Sequence, residues 1–111
     1  MNAPALTRRL TLEAPTRTSD AAGGYVETWA NLGYVWGHID TLGAGSDASL
    51  EGPTSAVRIR ITLRAAPVGS SRRPKPEQRL RDGSRIFDID AVTEADHPLY
   101  LWVWVREETL Q

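Results

Sequence analysis

The chain has 111 residues, of which 13 are Lys or Arg and 14 are Asp or Glu, so its formal net charge is −1, and it contains no cysteine. This length suits one domain spanning 1–111, and the lack of cysteine excludes disulfides, thiol chemistry and cysteine-ligated zinc. The balanced charge argues against a general binder of nucleic acids or membranes, and no apolar run approaches the roughly 20 residues of a membrane-spanning helix. Because residues 1–7 also lack the apolar stretch of a secretory signal, we expect a protein made in the cytoplasm with no membrane partner.

The dominant sequence period is two residues, which is the period of β-strands. Apolar and polar residues alternate over 9–14, which predicts a first strand, and Pro15 is predicted to end it. Residues 18–24 predict a turn, because Gly23 and Gly24 allow backbone conformations that other residues avoid.

The next two predicted strands, 25–32 and 34–42, are rich in residues that favour β-structure. Gly33 separates them, and so short a break predicts a hairpin. We expect Trp29 and Trp36 to be core aromatics that flank this hairpin, although tryptophan also serves well at interfaces.

Two long loops are predicted. The first covers about 43–56, which is small and polar, and 47–51 within it could form one helical turn. It is either a flexible loop or a segment that orders only against a neighbouring subunit. The second flexible loop covers about 65–78, where three prolines exclude a regular helix or a central strand. This second loop also carries three basic residues: Arg72, Arg73 and Lys75.

The cleanest strand is 57–64, where apolar residues alternate with Arg or Thr, so that one face suits a core. An Asp-Gly pair at 82–83 is a strong hairpin signal and lies between strands predicted at 79–81 and 85–93. With a last strand at 99–105, the chain has six to seven strands and at most one short helix. The predicted fold class is all-β, as a small antiparallel β-barrel or sandwich.

The last strand is unusual because both of its faces are apolar. One face carries four aliphatic residues: Leu99, Leu101, Val103 and Val105. The other carries three aromatic residues: Tyr100, Trp102 and Trp104. Since a half-exposed antiparallel strand normally alternates apolar with polar residues, either this strand is covered on both sides or one face meets another chain. Aromatic residues are typical interface anchors, so the aromatic face is the candidate subunit interface.

Residues able to carry catalysis are few. We expect His38 to be a structural strand residue and His97 a solvated turn residue. Asp88 and Asp90 are predicted to share one face of a strand as a solvent-facing pair, which could lie opposite Arg58 and Arg60. The other face of that strand is predicted to carry three apolar residues: Phe87, Ile89 and Ala91.

No nucleophile elbow, phosphate-binding glycine loop or metalloprotease motif occurs in the sequence. We therefore predict no catalytic, cofactor-binding or metal site, no cofactor, and a protein that is not an enzyme. A metal-dependent hydrolase that uses Asp88, Asp90 and His97 is the remote alternative.

The basic residues form two groups. Arg58, Arg60 and Arg64 line one strand face, and Arg72 lies in the loop with Arg73 and Lys75. They are either ordinary surface charge or a weak, sequence-independent contact with DNA phosphates. A nucleic-acid-binding β-barrel is therefore an alternative function, although no aromatic residues interleave with the basic loop.

The order of these motifs resembles that of phage head–tail joining proteins, also called head-closure, stopper or adaptor proteins. The resemblance rests on five segments in sequence order: LTRRLTLE at 6–13, RTSDAAGGYVETW at 17–29, VWGHI at 35–39, VRIRITLR at 57–64 and DGSRIFDI at 82–89. The chain departs from the family pattern in a longer, more basic connection at 64–79 and in a smaller, more polar segment at 43–55.

The resemblance implies a structural role in the neck of a phage or of a gene transfer agent. Such proteins form a homo-oligomeric ring below the portal and its adaptor after the capsid is filled with DNA. The ring closes the DNA channel and presents a docking surface to the tail or its terminator protein. On this reading Tyr100, Trp102 and Trp104 pack between subunits. The loop with Arg72, Arg73 and Lys75 reaches toward the channel or a partner.

Overall fold

A computed structural model describes residues 4–44 and 57–108 of the chain. Over these residues the fold is all-β, with six strands and no helix. The strands are β1 (Arg8–Ser19), β2 (Tyr25–Ala44), β3 (Val57–Arg64), β4 (Arg79–Asp82), β5 (Arg85–Glu94) and β6 (Tyr100–Glu107). The described part of the chain contains no helix of the length and apolarity needed to span a membrane. The predicted fold class is confirmed.

The six strands form one antiparallel sheet in the order β1-β2-β3-β6-β5-β4, and the pairing of β4 with β1 closes it. Alternation along each strand directs one set of side chains inward. The resulting core is aliphatic apart from one phenylalanine: Leu10, Leu12, Ile59, Ile61, Leu63, Leu80, Phe87, Ile89, Val103 and Val105. Because the sheet is closed, this core leaves a single outer face for contacts with other molecules.

The hairpin predicted at Gly33 is wrong, because β2 runs through it as one strand of 20 residues. Leu12 is opposite Gly33, but the next residue, Glu13, is opposite Asn31, so Leu32 is an extra residue in a β-bulge. Gly33 has a φ of 121°, and the side-chain oxygen of Asn31 accepts a 2.7 Å hydrogen bond from its amide. A glycine in this conformation accommodates a bulge as well as a turn, which is why the pattern suggested two strands.

The prediction that Pro15 ends the first strand is wrong, since β1 continues to Ser19. The pairing between β1 and β4 stops at Glu13, so Pro15 lies where β1 has become an edge strand. Proline is tolerated on an edge strand because one side of the strand has no partner that needs an amide hydrogen. Residues 14–30, here called the arm, therefore form a two-stranded hairpin that extends beyond the closed sheet.

The turn at the tip of the arm is held by one carboxylate. One oxygen of Asp20 accepts hydrogen bonds from the amides of Ala22 at 2.8 Å and Gly24 at 3.0 Å. These bonds favour the ionised form and lower the pKa of Asp20. The predicted turn and its glycine requirement are confirmed, with Gly23 at a φ of 89°.

The loop at 65–78 is held by short-range bonds and one buried side chain. Pro74 is fully buried, and an Arg73 guanidinium nitrogen donates a 3.0 Å hydrogen bond to the carbonyl of Ala66. The other predicted loop lies outside the described residues from 45 to 56, including the helical turn predicted at 47–51.

The predicted Asp-Gly hairpin is confirmed, with Asp82 opposite Arg85 across the turn. A second bulge lies in β5 between Ile89, which pairs with Val105, and Ala91, which pairs with Trp104. Beyond this bulge the inward-facing and outward-facing positions of β5 are exchanged. Ala91 therefore lies on the outer face instead of sharing the inner face with Phe87, as was predicted, and Val92 packs against the core in its place.

Candidate functional site

β6 is a central strand between β3 and β5, and its two apolar faces have different surroundings. Its aliphatic face is the core, with Leu101, Val103 and Val105 all buried, whereas Leu99 precedes the strand and is exposed. The aromatic face is the outer one, which is where an interface with another chain would lie.

The three aromatic residues of the candidate interface differ in how far they are covered. Tyr100 is buried, with its ring 5.4 Å from that of His97. Trp102 and Trp104 are half-buried and meet edge to face at 6.1 Å. The indole N–H of Trp104 donates a 3.0 Å hydrogen bond to the hydroxyl of Thr93. Part of each tryptophan ring thus stays open on the outer face.

Arg60 of β3 lies over part of these rings. Its guanidinium lies 4.3 Å from the centre of the Trp102 ring and 5.9 Å from that of Trp104. Asp40 accepts a 3.3 Å bond from the same guanidinium and lies 3.0 Å from a ring nitrogen of His38. Cation–π contact and ion pairing fix Arg60 on the tryptophans. His38 is thereby a structural strand residue in a polar cluster.

Tyr34 and Trp36 of β2 extend the aromatic outer face and are its most open part. Their relative exposures are 53% and 54%, and the guanidinium of Arg9 lies 4.6 Å from the Tyr34 ring centre. Trp36 was predicted in the core, and this is wrong because Gly37 takes the inward position next to it. The sequence signal for the outward position of Trp36 was the alternation of Tyr34, Trp36 and His38 with smaller residues. We call Tyr34, Trp36, Trp102 and Trp104 the outer aromatic face.

A groove of about 370 Å³ adjoins Tyr34 and Trp36. Its remaining walls come from the segment before β1, the end of β3 and the loop at 65–78, through Leu6, Arg64 and Arg72 among others. These walls are far apart in the sequence, so no local pattern predicts the groove. It combines an apolar floor with two cationic side chains.

A buried ion pair fixes the base of the arm. The guanidinium of Arg79 donates a 2.6 Å hydrogen bond to Glu13 and stacks on Trp29 with 4.0 Å to the ring centre. The two charged side chains are only 12% and 11% exposed. Trp29 was predicted in the core, and this is wrong because it is half-buried in the arm, outside the closed sheet.

The basic loop residues differ in their exposure. Arg72 and Lys75 are exposed, whereas Arg73 is partly buried and bonded to its own loop. Of the three, Arg72 also lines the groove beside Tyr34 and Trp36. Whether they meet DNA or a partner stays a prediction.

The prediction that the carboxylates of β5 lie opposite arginines of β3 is wrong, because β6 separates β5 from β3. The neighbours of β5 are β4 and β6. Asp90 accepts a 2.8 Å hydrogen bond from Arg106. Burial and the neighbouring Glu108 carboxyl raise the pKa of Asp88. His97 is in the turn before β6, where its ring nitrogen accepts a bond from the Leu99 amide. Within the described ranges, no three potential metal-ligating side chains cluster.

The profile of a family described as phage head completion protein matches residues 1–108. The chain belongs to the phage head completion protein family. The predicted resemblance is thereby confirmed, and family membership indicates a structural role and not an enzymatic one.

Two solved structures resemble this head completion family member over its whole length. A chain of the virion of a native gene transfer agent particle is 42% identical, covers 98% of this chain and 100% of its own, and superposes with a TM-score of 0.78. A Shigella flexneri 2a protein, known from a solution structure, is 20% identical with full coverage of both chains and a TM-score of 0.72, which shows the shared fold alone. No curated protein sequence matches the chain.

Proposed function

We propose that the protein forms a ring at the head–tail connector of a phage or phage-like particle, where it closes the DNA channel after packaging and docks the tail. The observation that carries this proposal is the 42% identity, over 98% of the chain, to a component of a gene transfer agent virion. Identity at that level over a whole chain supports a common place in the particle. The portal or its adaptor would lie above the ring, and the tail or its terminator below.

The Trp102 and Trp104 part of the outer aromatic face supports packing between neighbouring copies. Tryptophan at the centre of an interface contributes a large apolar area and a polar N–H, and such residues often dominate binding. In this proposal Trp102 and Trp104 make the contact, whereas Tyr100, on the same face of β6, is already buried within the subunit. A head-to-tail contact around a rotation axis closes into a ring without two-fold self-complementarity.

The loop at 65–78 is the candidate contact with the channel or a partner. Arg72 and Lys75 present charge to solvent, while Pro74 fixes the loop on the closed sheet. An anchored loop with cationic tips suits a weak contact with DNA phosphates in the channel or with an acidic protein surface.

The connector role is tested by electron microscopy of particles from cells that lack the gene. We expect DNA-containing or leaking heads without tails, together with free tails, and restoration of tailed particles by the wild-type gene. Normal tailed particles in the absence of the gene would contradict the proposal.

Complementation with variants tests the interface separately. Trp102→Glu should fail to restore tailed particles, because a carboxylate would be buried between subunits. The matched control is Ser84→Glu, which adds the same charge at the exposed turn between β4 and β5 and should restore them. Equal restoration by both folded variants would refute the contact at Trp102.

A further inference from the structure

One edge of β2 has no strand beside it over more than half of its length. β3 pairs with β2 only between Gly37 and Ala44, whereas residues 25–36 pair with β1 alone among the described strands. The backbone N–H and C=O groups on the other side of 25–36 are thus available to an added strand. Free edges of this kind bind extended segments by continuing the sheet.

The two edges of the arm are not equivalent. The β1 edge carries Pro15, which cannot donate a backbone hydrogen bond, and so discourages an added strand. The β2 edge has no proline and contains Tyr25, Val26 and Thr28, which favour β-structure. An incoming strand is therefore favoured on the β2 edge, in the place where β3 would lie if it were longer.

The groove beside Tyr34 and Trp36 lies where β3 ends and this open edge begins. β3 stops at Arg64, and Arg64, Ala65 and Ala66 line the groove on the side facing Tyr34 and Trp36 of β2. A segment added to the β2 edge would place side chains against the two exposed aromatic rings. The groove and the open edge thus form one continuous binding surface.

The charge of the groove indicates what would bind. Arg64 and Arg72 have no carboxylate partner among the described residues, in contrast to the arginines that form ion pairs within this part of the chain. Arginines with such a carboxylate partner include Arg8, Arg60, Arg79, Arg81, Arg85 and Arg106. Two unpaired guanidinium groups at an apolar groove favour carboxylates, which they bind with charge-assisted hydrogen bonds.

We propose that the β2 edge and the adjoining groove bind an extended segment of a different protein of the particle, one that alternates apolar residues with Asp or Glu. A second copy of this chain is less suited. The β1 edge of its arm, at residues 14–19, offers Pro15 and Arg17 and no carboxylate, so it would bring like charges together. This inference rests on the proposed function, because it requires the chain to be part of a particle.

Site-specific photo-cross-linking in purified particles tests the inference. The photoreactive residue p-benzoylphenylalanine would replace Tyr34, which is exposed enough to accept it, and, as a control, Ser84. We expect position 34 to form an adduct with an acidic, extended segment of another particle protein, identified by mass spectrometry. The charge reversal Arg72→Glu should lower the adduct yield by about tenfold, as expected for a lost charge pair and an added repulsion.

The possible failures are distinguishable. Particles that contain the chain but give no adduct at position 34, or only an adduct with a second copy, would overturn this inference and leave the connector role intact. Particles that lack the chain would overturn the proposed function, and with it the present inference. An adduct yield unaffected by Arg72→Glu would overturn the acidic character assigned to the partner segment.

Discussion

Gly37 is buried in β2 at a place where the closed sheet has no room for a side chain. A Cβ atom there would lie 2.8 Å from the Cδ2 atom of Leu63 and 3.1 Å from carbon atoms of Ile61 and Leu10. Carbon atoms in contact are normally about 3.5–4.0 Å apart, so all three side chains would have to move. Each of them is fully buried, so movement requires the surrounding core to repack.

The substitution Gly37→Ala should therefore destabilise the protein. Overpacking a core by one methyl group costs about 1–3 kcal/mol, and the smaller entropy of an unfolded alanine offsets about 0.5–1 kcal/mol of that. The expected net loss is about 1–2 kcal/mol, or roughly 5–10 °C in Tm for a domain of this size. Urea denaturation should show a lower midpoint with an unchanged m-value.

A double-mutant cycle provides the control. Leu63→Val removes the Cδ2 atom that makes the closest approach, so Gly37→Ala should cost less free energy of unfolding in that background. The reasoning is refuted if the alanine costs the same in both backgrounds, or if Gly37→Ala alone leaves the unfolding free energy unchanged.

Further predictions concern the charged groups. Glu13→Ala leaves the nearly buried guanidinium of Arg79 without its counter-ion and should cost about 3 kcal/mol in denaturation, with Glu13→Gln costing less because it keeps an acceptor. The raised pKa of Asp88 means that the folded state takes up a proton before the unfolded chain does, so its contribution to stability grows as pH falls from neutral to about 4. Wild type should thus gain stability relative to Asp88→Asn over that range. The hydrogen bond to Arg85 lowers the pKa of Glu107, so the contribution of Glu107 to stability depends on pH in the opposite direction. Glu107→Gln should be less stable than wild type at neutral pH, and this difference should shrink as pH falls below about 4.5. Parallel pH profiles for wild type and Asp88→Asn, or a Glu107→Gln deficit that persists in acid, would contradict the respective assignment.

The strands could be predicted from the sequence because alternation is a local property. Val57–Arg64 alternates without interruption, and the structure forms a strand over those same residues. The strand ends predicted at Gly33 and Pro15 were wrong for a common reason. Each residue commonly interrupts strands, but here a bulge accommodates Gly33 and a free edge accommodates Pro15. Whether a breaker ends a strand depends on its neighbours across the sheet, which the local sequence does not contain.

The candidate surfaces could be predicted only in part. Trp102 and Trp104 were suggested by a strand with two apolar faces, since that pattern is visible within seven residues. Trp36 was misplaced because the inward position belongs to Gly37, which offers no hydrophobic signal. The groove joins residues near positions 6, 35, 64 and 72, and only the closed sheet brings these together.

Cryo-electron microscopy of the particle neck tests the connector role most directly. The proposed function predicts a closed ring of copies of this chain at the junction of head and tail, with the channel obstructed in DNA-filled heads that lack tails. A reconstructed neck whose density is fully accounted for by other proteins, or copies of the chain located elsewhere in the particle, would contradict it.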